Sequence, residues 1–232
     1  MNRYLTPARW IGLLLLLQMG IGPLVNFGLL GPALSAPPGF LQNAASHARD
    51  VHVATLLALV GSACFVTMAL LFLSIAPATA RAFAWAFVVI AVLGFATAVL
   101  EGTSIRAMLA LSQAFHEAGA TDARAFEPLR VTVRALRSAA HYTQIMLGGA
   151  GYLALFLGLL RARLVPRVLA GAGAVAAALV IAAALGPLLG GRIVMSLLTP
   201  IGLCLVALAG WLLARGVPNQ GVESRESREV HG

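Results

Sequence analysis

The chain has 232 residues, of which 60% are hydrophobic and 10% charged, with a formal net charge of +8. A soluble domain runs about 45–50% apolar and about 25% charged, so this composition excludes an ordinary water-soluble globule and points to an all-α integral membrane protein. The basic residues are all arginine and form no patch interleaved with aromatics, which leaves nucleic-acid binding without support; in a membrane protein such charge serves orientation and contact with anionic headgroups.

A helix needs about 20 apolar residues to cross a hydrocarbon core of about 30 Å. Read in chain order, six segments meet that length: residues 10–34, 51–75, 83–108, 138–160, 165–185 and 193–214. The first follows a basic start and precedes "ALSAPP", as a secretory signal would. It is longer than the about 7–15 apolar residues of a signal and contains Gln18, Pro23 and Asn26, so it reads as a retained helix. "SAPPGFLQNAASHARD" then forms the first long connection. "PATARA" and "RARLVPR" are tight turns punctuated by Pro77 and Pro166, which make antiparallel neighbours of the helices they join.

The second long connection is "LSQAFHEAGATDARAFEPLR". It is expected to continue the third helix, turn at Gly119, and restart the fourth near Glu127 and Pro128, with Thr121 or Asp122 as the cap. "LGGAG" and "LAGAGAVAAALVIAAAL" carry small residues that let membrane helices pack closely; "LGPLLGGRI" is a short turn. Cys64 and Cys204 lie in apolar runs and read as small core residues. Residues 1–215 therefore form one six-helix transmembrane domain, and the polar stretch 216–232 reads as a disordered cytoplasmic tail.

Orientation rests on arginine placement. With both termini cytoplasmic, the inner side receives Arg3, Arg9, Arg81, Arg161, Arg163, Arg167, Arg215, Arg225 and Arg228. That topology also sorts the polar groups by depth. A helix rises about 1.5 Å per residue, which places Glu101 about 30 Å outward from Arg81 and His141 about 30 Å outward from Arg161. Gln144, Asn26 and His52 fall in the same outer region. Arg130, Arg134, Arg137, His141 and Gln144 recur at spacings of four and three, so they share one helix face that continues to Gly148 and then to Gly151 or Tyr152.

A charge in hydrocarbon costs roughly 2.5–3.5 kcal/mol or more, so Glu101 needs a partner. Arg106 is about 140° away around an ideal helix and is excluded. Arg137 and His141 on the fourth helix are the natural candidates. The expected site is a cluster of Glu101, Arg134, Arg137, His141, Gln144 and Asn26 that binds an anionic lipid or small amphiphile. One alternative is that the cluster only holds helices together. Another is an embedded enzyme whose metal or acid/base site is built from His52, Glu101 and His141, a ligand set suited to zinc or iron, although no local HxxxH or HExxH spacing supports it. No cofactor is assigned on these residues, and the faces of small residues leave a membrane-protein partner or a homo-oligomer open.

The start "TPARWIGLLLLLQ", the later "GGAGYLALFLGLLRARLVPRVLAGAGAV" and the six-span layout resemble the bacterial domain-of-unknown-function 4386 family of multi-pass membrane proteins. The likeness is carried by Pro7, Arg9 and Gly12, by Gly151, Tyr152 and Leu153, and by Pro166, Arg167, Leu169 and Gly171. It implies a multi-pass protein of a bacterial inner membrane and supplies no catalytic residue.

Overall fold

A computed structural model describes residues 6–119 and 123–216. The expected cap at Thr121 or Asp122, Arg3, and nearly all of the polar tail lie outside the described residues. Among the described residues all regular structure is helical: α1 (Pro7–Pro23), α2 (Phe40–Asn43), α3 (Ala48–Ile75), α4 (Arg81–Glu117), α5 (Ala123–Ala162), α6 (Arg167–Leu188) and α7 (Thr199–Arg215). Six of the helical stretches are long and apolar enough to cross a membrane. They run alternately up and down. The start of α1 and the end of α7 share one face, with Thr6 beside Gly216; this is called the terminal face. The connection between α1 and α3 and the junction of α4 with α5 lie at the opposite, loop face.

Pro7 opens α1 at a position where its missing N–H costs nothing. Pro23 and Pro32 remove two further donors, and the chain widens into π-helical turns, Leu24–Leu29 following Pro23 and Gly31–Ser35 containing Pro32. Asn26 Nδ2 donates to the Gly22 carbonyl at 3.0 Å, adding a side-chain bond where the ladder loosens. The first long connection is not a free loop. It carries α2, and Ser112 of α4 pins it twice: the hydroxyl donates to Leu41 O at 2.8 Å and accepts from Ala45 N at 3.0 Å.

α4 has 37 residues and α5 has 40, so at about 1.5 Å per residue each exceeds the about 30 Å of hydrocarbon by some 25 Å or more. The two helices pack along each other, and Gly119 takes the left-handed φ of +70° where α4 ends. α5 begins earlier than the sequence suggests, at Ala123, and runs through Pro128 instead of starting there. A proline in the second turn forfeits one backbone bond, which the long contact with α4 outweighs.

The buried side chains form two apolar cores. One fills the bundle toward the terminal face, with Leu15, Met68, Phe72, Phe87, Phe156 and Leu208 among its members. The other lies toward the loop face, where Val25, Leu34, Phe40, Val51, Ile105 and Phe115 join the first connection to α3 and α4. The glycine stripes serve the first core in a specific way. A Cβ on Gly151 would meet the Phe65 ring at 2.7 Å, one on Gly158 the Phe72 ring at 2.7 Å, and one on Gly173 the Phe156 ring at 2.2 Å. These glycines are sockets for phenylalanine rings as much as points of backbone approach.

A polar cavity between two apolar cores

Between the cores lies a cavity of about 240 Å³, walled by α1 and its first π-helical turn, α3, α4 and α5. Most of its wall is apolar, but Gln18, Asn26, Ser62, Glu101, His141 and Gln144 converge on it. Each arrives for a local reason. The turn after Pro23 brings Asn26 to the wall. Gly102 admits α3 closely, since a Cβ there would meet Thr55 Cγ2 at 2.9 Å. That contact sets Glu101, the preceding residue, against the α3 and α5 side of the bundle.

Glu101 is 8% exposed, and its Oε1 takes two contacts from α5. His141 Nδ1 lies 2.8 Å away and Arg137 Nε 3.8 Å away. With Glu101 as carboxylate, Nδ1 is the donor of the shorter contact. Arg137 meets the carboxylate's charge within the protein, and its Nε is buried without a hydrogen-bond partner. Both contacts fall on Oε1, which leaves Oε2 without a protein partner among the described residues. Gln144 Nε2 reaches Ser62 Oγ at 3.4 Å, and Tyr152 Oη donates to Gln18 Oε1 at 2.8 Å. The Thr55 hydroxyl is spent on Val51 O at 2.8 Å.

The structure brings together part of the residues expected from sequence. Glu101, Arg137 and His141 form one contact cluster, and Gln144 and Asn26 share its cavity. Arg134 does not belong: it is exposed and does not line the cavity. Arg130 turns instead to Glu127, with Nη2 at 2.6 Å from Oε1. The arginine face is therefore divided, because only its last turn reaches the level of α4's carboxylate. His52 is exposed on α3 and lines no part of the cavity, so the set His52, Glu101 and His141 is not assembled. Among the described residues no three His, Cys, Asp or Glu side chains gather as a metal site would require. Gln18, Ser62 and Tyr152 were not singled out from sequence as site residues. An isolated amide in an apolar run is the signal that marks Gln18.

The family model described as domain of unknown function (DUF4386) matches residues 10–216. No curated protein and no solved structure matches the chain. The matched span covers most of the molecule, and the chain belongs to the DUF4386 family.

Proposed function

We propose that this DUF4386 protein binds the polar end of a membrane amphiphile in the cavity between its two cores. The observation that supports this is the convergence of Asn26, Ser62, Glu101, His141 and Gln144 on one half-open cavity of an otherwise apolar bundle. A cluster that served packing alone would be closed by its own side chains, because buried polar groups left without partners cost about 1–3 kcal/mol each. A cavity of about 240 Å³ is far above the about 10–15 Å³ that one water needs. Pockets with a mostly apolar wall and a few convergent polar groups are the usual form of small-molecule sites.

On the same reading both termini are cytoplasmic in a bacterial inner membrane, the loop face is external, and the cavity opens in the outer half of the bilayer. The arginines that suggested an anionic ligand do not point to one: Arg134 lies away from the cavity, and Arg137 is engaged with Glu101.

Lipid analysis of the purified protein tests the proposal. Wild type is expected to carry at least one lipid species enriched over the surrounding membrane. Ala58→Leu and Ser62→Leu, which fill the cavity from α3, are expected to lose it while eluting as folded protein. Identical lipid profiles in all three proteins would sink the reading.

A further inference from the structure

The cavity does not end at its own walls. A second hollow of about 100 Å³ shares Gln18, Ser62 and Gln144 with it and continues between α4 and α5 past Gly94 and Gly148. Phe95 lines this hollow and also a third, of about 320 Å³, with Ala63, Val66, Thr67 and Val92. That last groove is on the lipid-facing surface, where Val92 is 51% and Phe95 37% exposed. Its single hydroxyl, on Thr67, is spent on Ala63 O at 2.9 Å. The first two spaces are both polar, sharing Gln18, Ser62 and Gln144, with Glu101 in the first and the Tyr152 hydroxyl in the second, and only the last is close to pure hydrocarbon.

We infer that the ligand is a single-chain amphiphile with an uncharged, hydroxyl-bearing head, its tail threaded past Gly94 and Gly148 to the groove at Phe95. The inference rests on the cavity being a binding site. Two glycines line the middle of the route: a Cβ on Gly94 or Gly148 would meet nothing within 4 Å, so both backbones border open space that a larger side chain would occupy. A hollow of about 100 Å³ at that point suits one tail and not two.

The head follows from which hydrogen-bond positions the protein leaves unused. Glu101 Oε2 only accepts when ionised; Asn26 and Gln144 each spend one amide N–H, which leaves their carbonyl oxygens as acceptors and their second N–H as a donor, and Gln18, whose Oε1 accepts from Tyr152, keeps its Nε2 donors. A wall that offers both acceptors and donors calls for a group that does both, and a hydroxyl donates and accepts. A charged head is disfavoured in either sign. An anion would face Glu101, and a cation would compete with Arg137, 3.8 Å from the same carboxylate.

Native mass spectrometry of the full chain released from phosphatidylcholine nanodiscs tests this with 1-monooleoylglycerol as the probe. Oleate, oleylamine and dioleoylglycerol are the comparison amphiphiles. Wild type is expected to retain monooleoylglycerol above all three. Gly148→Leu and Gly94→Leu are expected to lower that retention about tenfold, the factor that corresponds to about 1.4 kcal/mol. Gly202→Leu, at an equally open glycine on α7 outside the route, is expected to leave it unchanged. Should one route variant fail to fold, the other decides.

Retention of oleate, oleylamine or dioleoylglycerol at the level of the probe would overturn the head or the single tail. Unchanged retention in both route variants would overturn the path. If Ala58→Leu loses an enriched lipid that Gly148→Leu keeps, the path is wrong and the cavity reading stands. If neither variant changes any lipid, both fall.

Discussion

His141 Nδ1 lies 2.8 Å from Glu101 Oε1 and joins α4 to α5 at the level where the apolar interior is interrupted. Forty residues of sequence separate the two. The contact sits midway along the longest helix pair in the molecule, so it fixes the register of two helices whose apolar faces would tolerate sliding. A buried polar pair is well suited to that task, because a shift of one turn would strand both groups.

Removing the carboxylate's charge tests how much the pair contributes. Glu101→Gln keeps the shape and leaves Arg137 without its counter-charge. The side chains are 11%, 19% and 23% exposed for Glu101, Arg137 and His141, which places the loss below that of a fully enclosed pair. A destabilisation of about 1–3 kcal/mol is expected. Thermal unfolding in detergent, followed by circular dichroism, measures it. Adding Arg137→Gln should restore part of the loss, because the orphaned guanidinium is then gone. A double variant as unstable as the sum of both single ones would mean that the two side chains are not coupled.

Ser112 makes a different prediction. It holds the first connection against α4 through Leu41 O and Ala45 N, and it is fully buried. Ser112→Ala removes both bonds and leaves a backbone donor and acceptor unpaired, a cost of about 1–3 kcal/mol for each group that water does not reach. The effect should be local. Amide hydrogen exchange over residues 40–47 is expected to rise strongly, with α6 and α7 unchanged. Uniform exchange along the chain would show that Ser112 supports the whole bundle instead.

Two neighbouring glycines should behave oppositely. A Cβ on Gly171 meets nothing within 4 Å, whereas one on Gly173 lands 2.2 Å from Phe156. Gly171→Ala is expected to be neutral or to gain up to about 1 kcal/mol from helix propensity. Gly173→Ala is expected to lose about 1–3 kcal/mol through overpacking. Melting temperatures of the two variants decide it, and equal shifts would mean that Phe156 moves aside freely.

That contrast marks what the sequence could and could not reveal. The six spans were readable because hydrocarbon thickness sets a minimum run of apolar residues. The pairing of Glu101 with Arg137 and His141 was readable because equal depth on antiparallel helices follows from counting residues. Arg134 shows a first limit: helical spacing places it on the His141 face, yet α4 carries no acid at its level, and the side chain is exposed and does not line the cavity. His52 shows the second limit. Depth counting matched it to Glu101, but rotation about α3 decides where it points, and a helix that is apolar all round carries little rotational signal. The Phe sockets of Gly151, Gly158 and Gly173 were beyond reach for a related reason. Composition marks a small-residue face, and only the fold says which large residue fills it.

Topology provides the last prediction. Ser46 is exposed in the first connection on the loop face, and Thr79 is exposed in the turn between α3 and α4 on the terminal face. In a background with Cys64 and Cys204 replaced by alanine, Ser46→Cys is expected to react with a membrane-impermeant maleimide on intact cells. Thr79→Cys should react only after permeabilisation. The expectation follows from the arginines of the terminal face, Arg9, Arg81, Arg161, Arg163, Arg167 and Arg215, which the positive-inside rule assigns to the cytoplasm. The opposite labelling pattern would invert the molecule. The cavity would keep its walls and its chemistry, but its ligand would then be drawn from the cytoplasmic leaflet, and the projecting ends of α4 and α5 would stand in the cytoplasm.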